Sequence, residues 1–228
     1  MAYSSDWAIK TKRYVAFLDV LGFKDYALRH STDEVYNRLQ ILNGFRPEEG
    51  ERDYDSDEEK RIKFSIFSDS IFIFTRDDSF VTLRHFLSYV KRVMRMALRN
   101  EIPLKGAIAY GDIVVDDERN LFCGQPIIDA YLLEEDLQYM GVVFHHTFEE
   151  AYNDLSDTQY KRICEWVKEE STPFKYGKRV HFNLDYRVSG SKVYDLKSRV
   201  VNQRYYSSGD ARKYVDNTLD MLKLFEHK

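Results

Sequence analysis

Tyr14-Val15-Ala16-Phe17-Leu18-Asp19-Val20-Leu21-Gly22-Phe23 is an apolar run broken by one carboxylate and closed by a glycine. Its apolar residues follow one another instead of alternating, the pattern of a strand buried on both faces, and a strand is predicted over Arg13–Asp19. Gly22 then permits a tight turn. A second stretch of similar design follows, Ile62-Lys63-Phe64-Ser65-Ile66-Phe67-Ser68-Asp69-Ser70-Ile71-Phe72-Ile73-Phe74. It reads as two strands, Ile62–Phe67 and Ile71–Phe74, around Ser68-Asp69-Ser70. That turn has no glycine, but Ser and Asp accept turn geometry through local side-chain hydrogen bonds. Each stretch thus places an aspartate where a buried strand stops.

Between the two stretches, Phe23 to about Leu42 has helical spacing, broken near Ser31-Thr32-Asp33, with Thr32 or Asp33 expected to cap a second helix. Arg46–Lys60 holds eight acidic residues and almost no aliphatic side chain, as a solvated loop would. Further on, Phe80–Asn100 is predicted helical, with Arg84, Lys91, Arg92, Arg95 and Arg99 on an exposed face. Leu104–Tyr110 and Ile113–Val115 are expected to form a hairpin about Gly111-Asp112, and Asn120–Cys123 a short returning strand. Gly124–Leu137 reads as a helix with Pro126 in its first turn, where a missing N–H costs little. A strand over Gly141–His145, helices over Phe148–Tyr152 and Asp157–Glu169, and a strand pair over Pro173–Leu184 bent at Tyr176-Gly177-Lys178 follow. An amphipathic helix over Ala211–Phe225 closes the pattern.

With 228 residues the chain suits one α/β domain with a substantial core. Residues 1–12 read as a polar arm and 13–228 as a single domain, core 13–145 and C-terminal extension 146–228. Seventeen Tyr and fifteen Phe against four Pro exclude bulk disorder. A formal net charge of −4 counts against a protein that coats nucleic acid, although a nucleotide substrate needs only a local pocket. Two cysteines, Cys123 and Cys164, make neither a disulfide framework nor a zinc quartet. Without a signal segment or a membrane-length apolar run, a reduced cytoplasmic protein is expected, with no membrane partner. His145-His146, beside a strand, would point to opposite faces and so suit one metal poorly. Cys123 is expected in the core, Asp112 as a turn residue, and Asp185 without a visible partner.

Strand, helices, strand, hairpin, helix, strand is a βαββαβ order. A right-handed crossover makes the first two strands parallel, so their carboxyl ends lie at one sheet edge, and the strand from Ile71 can slot between them. Asp19 and Asp69 then face one crevice. Two carboxylates against apolar surroundings repel each other unless a cation neutralises them, and a hard ion such as Mg²⁺ or Mn²⁺ is the natural partner.

These stretches resemble the class III nucleotidyl cyclases. Phe17-Leu18-Asp19-Val20-Leu21-Gly22-Phe23 is similar to their first metal motif and Phe67-Ser68-Asp69-Ser70-Ile71 to their second. Gly106-Ala107-Ile108-Ala109-Tyr110-Gly111 is similar to the glycine-bearing hairpin, and Gly124-Gln125-Pro126-Ile127 with Ala130, Leu133 and Glu134 to the following helix. The resemblance spans about Arg13 to Leu137 with the motifs in order. It implies a mixed α/β sandwich with a ferredoxin-like, palm-type βαββαβ core and a C-terminal strand–helix extension. It further implies two Mg²⁺ or Mn²⁺ ions per site, held by Asp19, Asp69 and the Val20 carbonyl. Triphosphate contacts would come from the backbone of Leu21, Gly22 and Phe23 and from Lys175, Lys178 and Arg179. A homodimer with composite sites is implied as well.

The departures narrow the substrate. The family's purine-reading Lys and Asp fall on Ser65 and Leu121, and its transition-state Asn and Arg on Ile128 and Leu132. Retention of both aspartates favours activity, and loss of the purine readers favours a smaller base, with Ser65, Leu121 and Phe122 lining its pocket. Phe174-Lys175-Tyr176-Gly177-Lys178 with His181-Phe182-Asn183-Leu184-Asp185 resembles the C-terminal signature of the pyrimidine cyclases of the Pycsar anti-phage system. The expected reaction is attack of the ribose 3′-OH of UTP on the α-phosphorus, giving 3′,5′-cyclic UMP as a second messenger. CTP, a purine substrate, and a catalytically inactive nucleotide-sensing dimer remain as alternatives. A diguanylate cyclase is disfavoured because Phe67-Ser68-Asp69-Ser70 supplies a single acid at its turn.

Overall fold

The computed structural model describes residues 7–47, 61–187 and 193–226. At its centre is β1 (Lys10–Val20), antiparallel to β3 (Ser70–Thr75) on one side and to β4 (Leu104–Asp116) on the other. β2 (Ile62–Phe67) pairs antiparallel with β3 and therefore runs parallel to β1. Beyond β4 come β6 (Val142–Phe144), β8 (Gly177–Leu184) and β7 (Val167–Phe174), giving the order β2-β3-β1-β4-β6-β8-β7. β5 (Leu121–Cys123) pairs with the far end of β4.

Helices α1 (Phe23–Arg29) and α2 (Thr32–Asn43) connect β1 to β2, and α3 (Phe80–Arg99) connects β3 to β4. α4 (Gln125–Asp136) follows β5, and α5 (His146–Asn153) and α6 (Asp157–Ile163) lie between β6 and β7. α7 (Val193–Gln203) and α8 (Gly209–Glu226) come last.

Alternation along β1 sends Tyr14, Ala16 and Leu18 to one face, and Val15, Phe17 and Asp19 to the other. The first face is covered by α3 and α5, with the Tyr14 ring 6.2 Å from Phe86 and 5.8 Å from Phe148. The second is covered by α4, whose Tyr131 meets Phe17 edge-on at 5.5 Å. Ala107 and Ala109, cross-strand from Phe17 and Val15, keep that face low enough for a helix to approach. Gly106 lies opposite Leu18, and a Cβ built there would come 2.3 Å from Leu18 Cδ2 and 2.5 Å from the Phe17 carbonyl oxygen. Gly106→Ala is expected to cost about 1–3 kcal/mol, read as a lower denaturation midpoint at unchanged slope.

Several expectations need correcting. β1 begins at Lys10, so residues 10–12 of the expected arm pair with β4; residues 1–6 lie outside the described residues, as does most of the acidic loop. Ser31, not Thr32 or Asp33, caps α2: its hydroxyl accepts from the Glu34 amide while the Glu34 carboxylate accepts from the Ser31 amide. No hairpin forms at Gly111-Asp112. β4 runs straight through it because β1, starting early, pairs with both halves in one register from Lys10↔Val114 to Val20↔Leu104. The helix expected over Asp157–Glu169 stops at Ile163, and Val167–Glu169 open β7. α7 was not anticipated. Nor is the cationic face of α3 uniformly exposed. Lys91 is buried, its ammonium 5.0 Å from the Trp166 ring, and burial brings it down to about 8.

Candidate active site

Because β1 and β2 are parallel, both carboxyl ends reach the same sheet edge, with β3 between them. Asp19 stands opposite Ser70, whose hydroxyl donates to Asp19 Oδ1 at 3.4 Å. Asp69 is half-buried in the turn just before Ser70, and this turn closes with Ser68 in the left-handed region at φ 56°. The sequence achieves with a serine what is more often done with glycine.

On its other side Asp19 faces Lys105 of β4. That lysine is 6% exposed and lies 2.9 Å from Oε1 of Glu134, itself 3% exposed on α4. The ammonium also donates to the Glu134 carbonyl at 2.8 Å and the Glu135 carbonyl at 3.3 Å. With Lys105 committed to Glu134, Asp19 has too little positive charge. Burial first, then Glu134 and Asp69, push its carboxyl up to about 7, against the weaker pull of Lys105 and Ser70. Burial raises the Glu134 carboxyl too, with Lys105 opposing.

Two hard oxygen donors, one of them with its carboxyl raised by burial and by neighbouring negative charge, fit a divalent cation. Among the described residues no group of three or more His, Cys, Asp or Glu side chains stands close enough to hold a metal. Ligands beyond the two carboxylates would come from backbone, water or substrate.

The Asp19 carboxyl sits above its unfolded value, so the folded state binds the extra proton between about pH 4 and 7. Its contribution is fully present below pH 4 and is lost as pH rises through 7. Without divalent ions, Asp19→Asn should therefore melt about 2–4 °C above the unsubstituted chain at pH 8, and the gap should close by pH 4. Thermal melts across pH in EDTA check this.

The remaining site residues divide. Val20 is buried at the end of β1 opposite Leu104. The Leu21 amide already donates to the Pro103 carbonyl at 2.9 Å, which corrects its expected role as a phosphate donor. Gly22, at φ 74°, precedes α1, where no side chain caps the helix, and Phe23 is buried. Ser65 and Phe122 lie on the Asp19 face, since their partners Phe72 and Val115 do. Leu121, one residue before Phe122, projects from the opposite face by strand alternation and so cannot share their pocket. Phe17, Phe72, Phe74 and Phe122 make an aromatic row beside Ser65, with successive centroids 5.0, 6.1 and 5.4 Å apart. Lys175 pairs with Asp136 at 3.6 Å and acts on the Glu134 carboxyl. Lys178 and Arg179 are exposed on β8 and form no hydrogen bond or ion pair with Asp19, Asp69 or Glu134 among the described residues.

Other readings also change. His145 and His146 come together, ring centroids 4.0 Å apart, because they begin α5 instead of alternating in a strand. Cys123 is exposed. Asp112 lies within β4 opposite Lys12, and Asp185 forms a 2.8 Å ion pair with Arg187. The residues missed were Lys105, Glu134 as its partner, and Lys63. The last lies 5.2 Å over the Phe122 ring and is paired with Asp117. A lysine inside the otherwise apolar Leu104–Tyr110 strand was the available signal.

No protein-family model matches the chain, and no curated protein matches it. Solved structures do. The catalytic core of a rhodopsin-guanylyl cyclase with converted specificity, in complex with ATPαS, aligns over 77% of this chain and 96% of its own at 11% identity, with TM-score 0.53. The adenylyl cyclase CyaB from P. aeruginosa aligns over 80% and 98% at 15% identity, TM-score 0.47. A bacterial light-regulated adenylyl cyclase aligns over 85% and 98% at 9% identity, TM-score 0.48. At such identities the likeness is one of architecture, and the first of the three carries it. No helix among the described residues is long and apolar enough to cross a membrane. The eight-stranded mixed sheet of the described residues, with α4 over one face, has the catalytic-domain fold of the class III nucleotidyl cyclases.

Proposed function

We propose that this chain is a nucleotide cyclase acting on a pyrimidine nucleoside triphosphate, UTP first, to give the 3′,5′-cyclic monophosphate and pyrophosphate. The observation that carries the reading is the Asp19–Asp69 pair, a half-buried carboxylate pair short of positive charge at the edge of a cyclase-type sheet. Asp19, Asp69 and the Val20 carbonyl would hold two Mg²⁺ or Mn²⁺ ions. Bound there, the ions would acidify the ribose 3′-OH and offset the triphosphate charge. Asp19 and Asp69 fix the site where those charges meet, and Ser70 orients Asp19. The Gly22 and Phe23 amides at the open start of α1 can donate to phosphate oxygens, and Lys175, which pairs with Asp136 and acts on Glu134, offers an ammonium. Catalysis is then positioning and electrostatics, without a dedicated side-chain base.

The preference for a pyrimidine rests on Ser65, on the Asp19 face, standing where the family carries its purine-reading lysine. The aromatic row ending at Phe122 stands on the same face as Ser65, where it would take up volume that a two-ring base needs. A role in anti-phage signalling rests only on the resemblance of the C-terminal segment. The purine alternative keeps one specific support: the Lys63–Asp117 pair over Phe122 supplies a cation and an acid on the base-pocket side. The test is purified protein with Mn²⁺ and each of the four NTPs, products resolved by chromatography. Cyclic UMP is expected; cyclic CMP moves the choice within pyrimidines, cyclic AMP or GMP selects the purine reading, and no turnover of any NTP defeats catalysis.

A composite dimer site belongs to the same proposal. Ile128, Tyr131 and Leu132 form an apolar patch on α4, 51%, 43% and 53% exposed, and Tyr131 touches Phe17 beside Asp19. A second copy covering this patch would adjoin the acidic edge. Leu132→Glu is expected to shift the mass in light scattering from twice 27.1 kDa to the single-chain value. Activity should fall about a hundredfold with an unchanged circular dichroism spectrum.

A further inference from the structure

On the opposite face of the sheet and toward the other end of β1 lies a cavity of about 520 Å³, within the range of small-molecule sites. Tyr14, which contributes to it, precedes Asp19 by five residues, about 17 Å along the strand, and alternation places the two on opposite faces. The cavity therefore lies apart from the acidic edge.

Its floor is aromatic. Tyr14 and Tyr110 are cross-strand partners with ring centroids 4.8 Å apart. Tyr14 is only 4% exposed, and its hydroxyl makes no hydrogen bond among the described residues and is not among their fully buried unpaired atoms, so it is open to a group entering the cavity. The Tyr110 hydroxyl donates to Asp78 Oδ2 at 2.8 Å.

The rim is acidic. Asp78, Asp112, Glu150 and Asp154 line the cavity against one cation, Lys12, a formal excess of three negative charges (four less one). The Lys12 ammonium already lies 5.9 Å from the Tyr110 centroid, so the chain itself shows what chemistry this ring accepts. A bare metal ion would leave most of the volume and the two tyrosine faces unused. An organic ammonium uses both, through cation–π contact with the rings and charge-assisted hydrogen bonds to the carboxylates.

We propose that this cavity is a second ligand site, for a small organic cation of the diamine or polyamine class. The ammonium groups pair with the rim carboxylates, the methylene chain lies on Tyr14 and Tyr110, and the Tyr14 hydroxyl gains its missing partner.

The test is calorimetric titration of spermidine, and separately putrescine, into the full chain without nucleotide or divalent ions. The outcome is thus independent of whether the protein is a cyclase. Saturable one-site binding is expected, weakened about tenfold in the exposed-rim variant Glu150→Gln/Asp154→Asn. Tyr14→Phe should also weaken it, and Asp69→Asn should leave it unchanged. No heat up to millimolar spermidine would overturn the proposal. So would an equal loss in the control Asp33→Asn/Glu34→Gln on α2, which would mean attraction to net negative charge alone, or displacement by MgCl₂ but not by putrescine.

Discussion

Asp69→Asn is expected to lower turnover of the preferred triphosphate about a thousandfold or more, roughly 4 kcal/mol of transition-state stabilisation. The substitution keeps the size of the side chain and removes only its charge. Asp69 sits half-buried in a turn held by Ser68, so the fold should survive. Asp19→Ala should be as severe. With either variant, nucleotide binding without divalent ions should change little, because neither carboxylate attracts an anionic triphosphate unaided. Full activity in Asp19→Ala would remove the metal assignment even if the protein proved to be a cyclase. A loss that reappears as unfolding in thermal melts would assign the aspartates to structure instead.

Lys105→Met carries the largest expected stability effect. Lys105 and Glu134 are 6% and 3% exposed and 2.9 Å apart, and removing the ammonium leaves a buried carboxylate with only Lys175, itself paired with Asp136, to offset it. Breaking such a pair from one side costs about 3–5 kcal/mol. For a chain of this size that is a fall of about 10 °C in melting temperature. The double variant Lys105→Met/Glu134→Leu should recover most of the loss, because an apolar pair needs no compensation. The single variant should also be less impaired at pH 5 than at pH 8. Burial already raises the Glu134 carboxyl, and without Lys105 it rises further, so the penalty grows as pH climbs through that value. A double variant no more stable than the single one would mean that packing, not charge, is what Lys105 provides.

What could be read from the sequence was local. The unbroken apolar run of β1, the Ser-Asp-Ser turn and the helical spacing of α3 and α4 all came through, because neighbouring residues determine them. From connectivity alone β3 could be slotted between β1 and β2, and with that both aspartates reached one edge. Errors arose where a distant partner decided the outcome. Gly111-Asp112 carries turn chemistry, yet β1 pairs across it and holds β4 straight. Val167–Glu169 have helical spacing with the preceding residues, yet β8 recruits them into a strand. Leu121 and Phe122 are adjacent strand residues and face opposite ways, so they cannot line the one pocket expected of both. Lys105 and Glu134 are 29 residues apart, and nothing in either neighbourhood announces the other.

The eleven-residue register between β1 and β4, from Lys10↔Val114 to Val20↔Leu104, has a kinetic consequence. The middle of the sheet is formed by segments roughly ninety residues apart, so β1 leaves the ribosome long before its principal neighbour exists. β3 can reach it first, and the β1–β2–β3 half with α3 can associate while β4 is still being synthesised. Such distant pairing makes folding slow and leaves one side of an apolar strand without a mate in the meantime. In refolding followed by pulsed hydrogen exchange, amides linking β1 to β3 should gain protection before those linking β1 to β4.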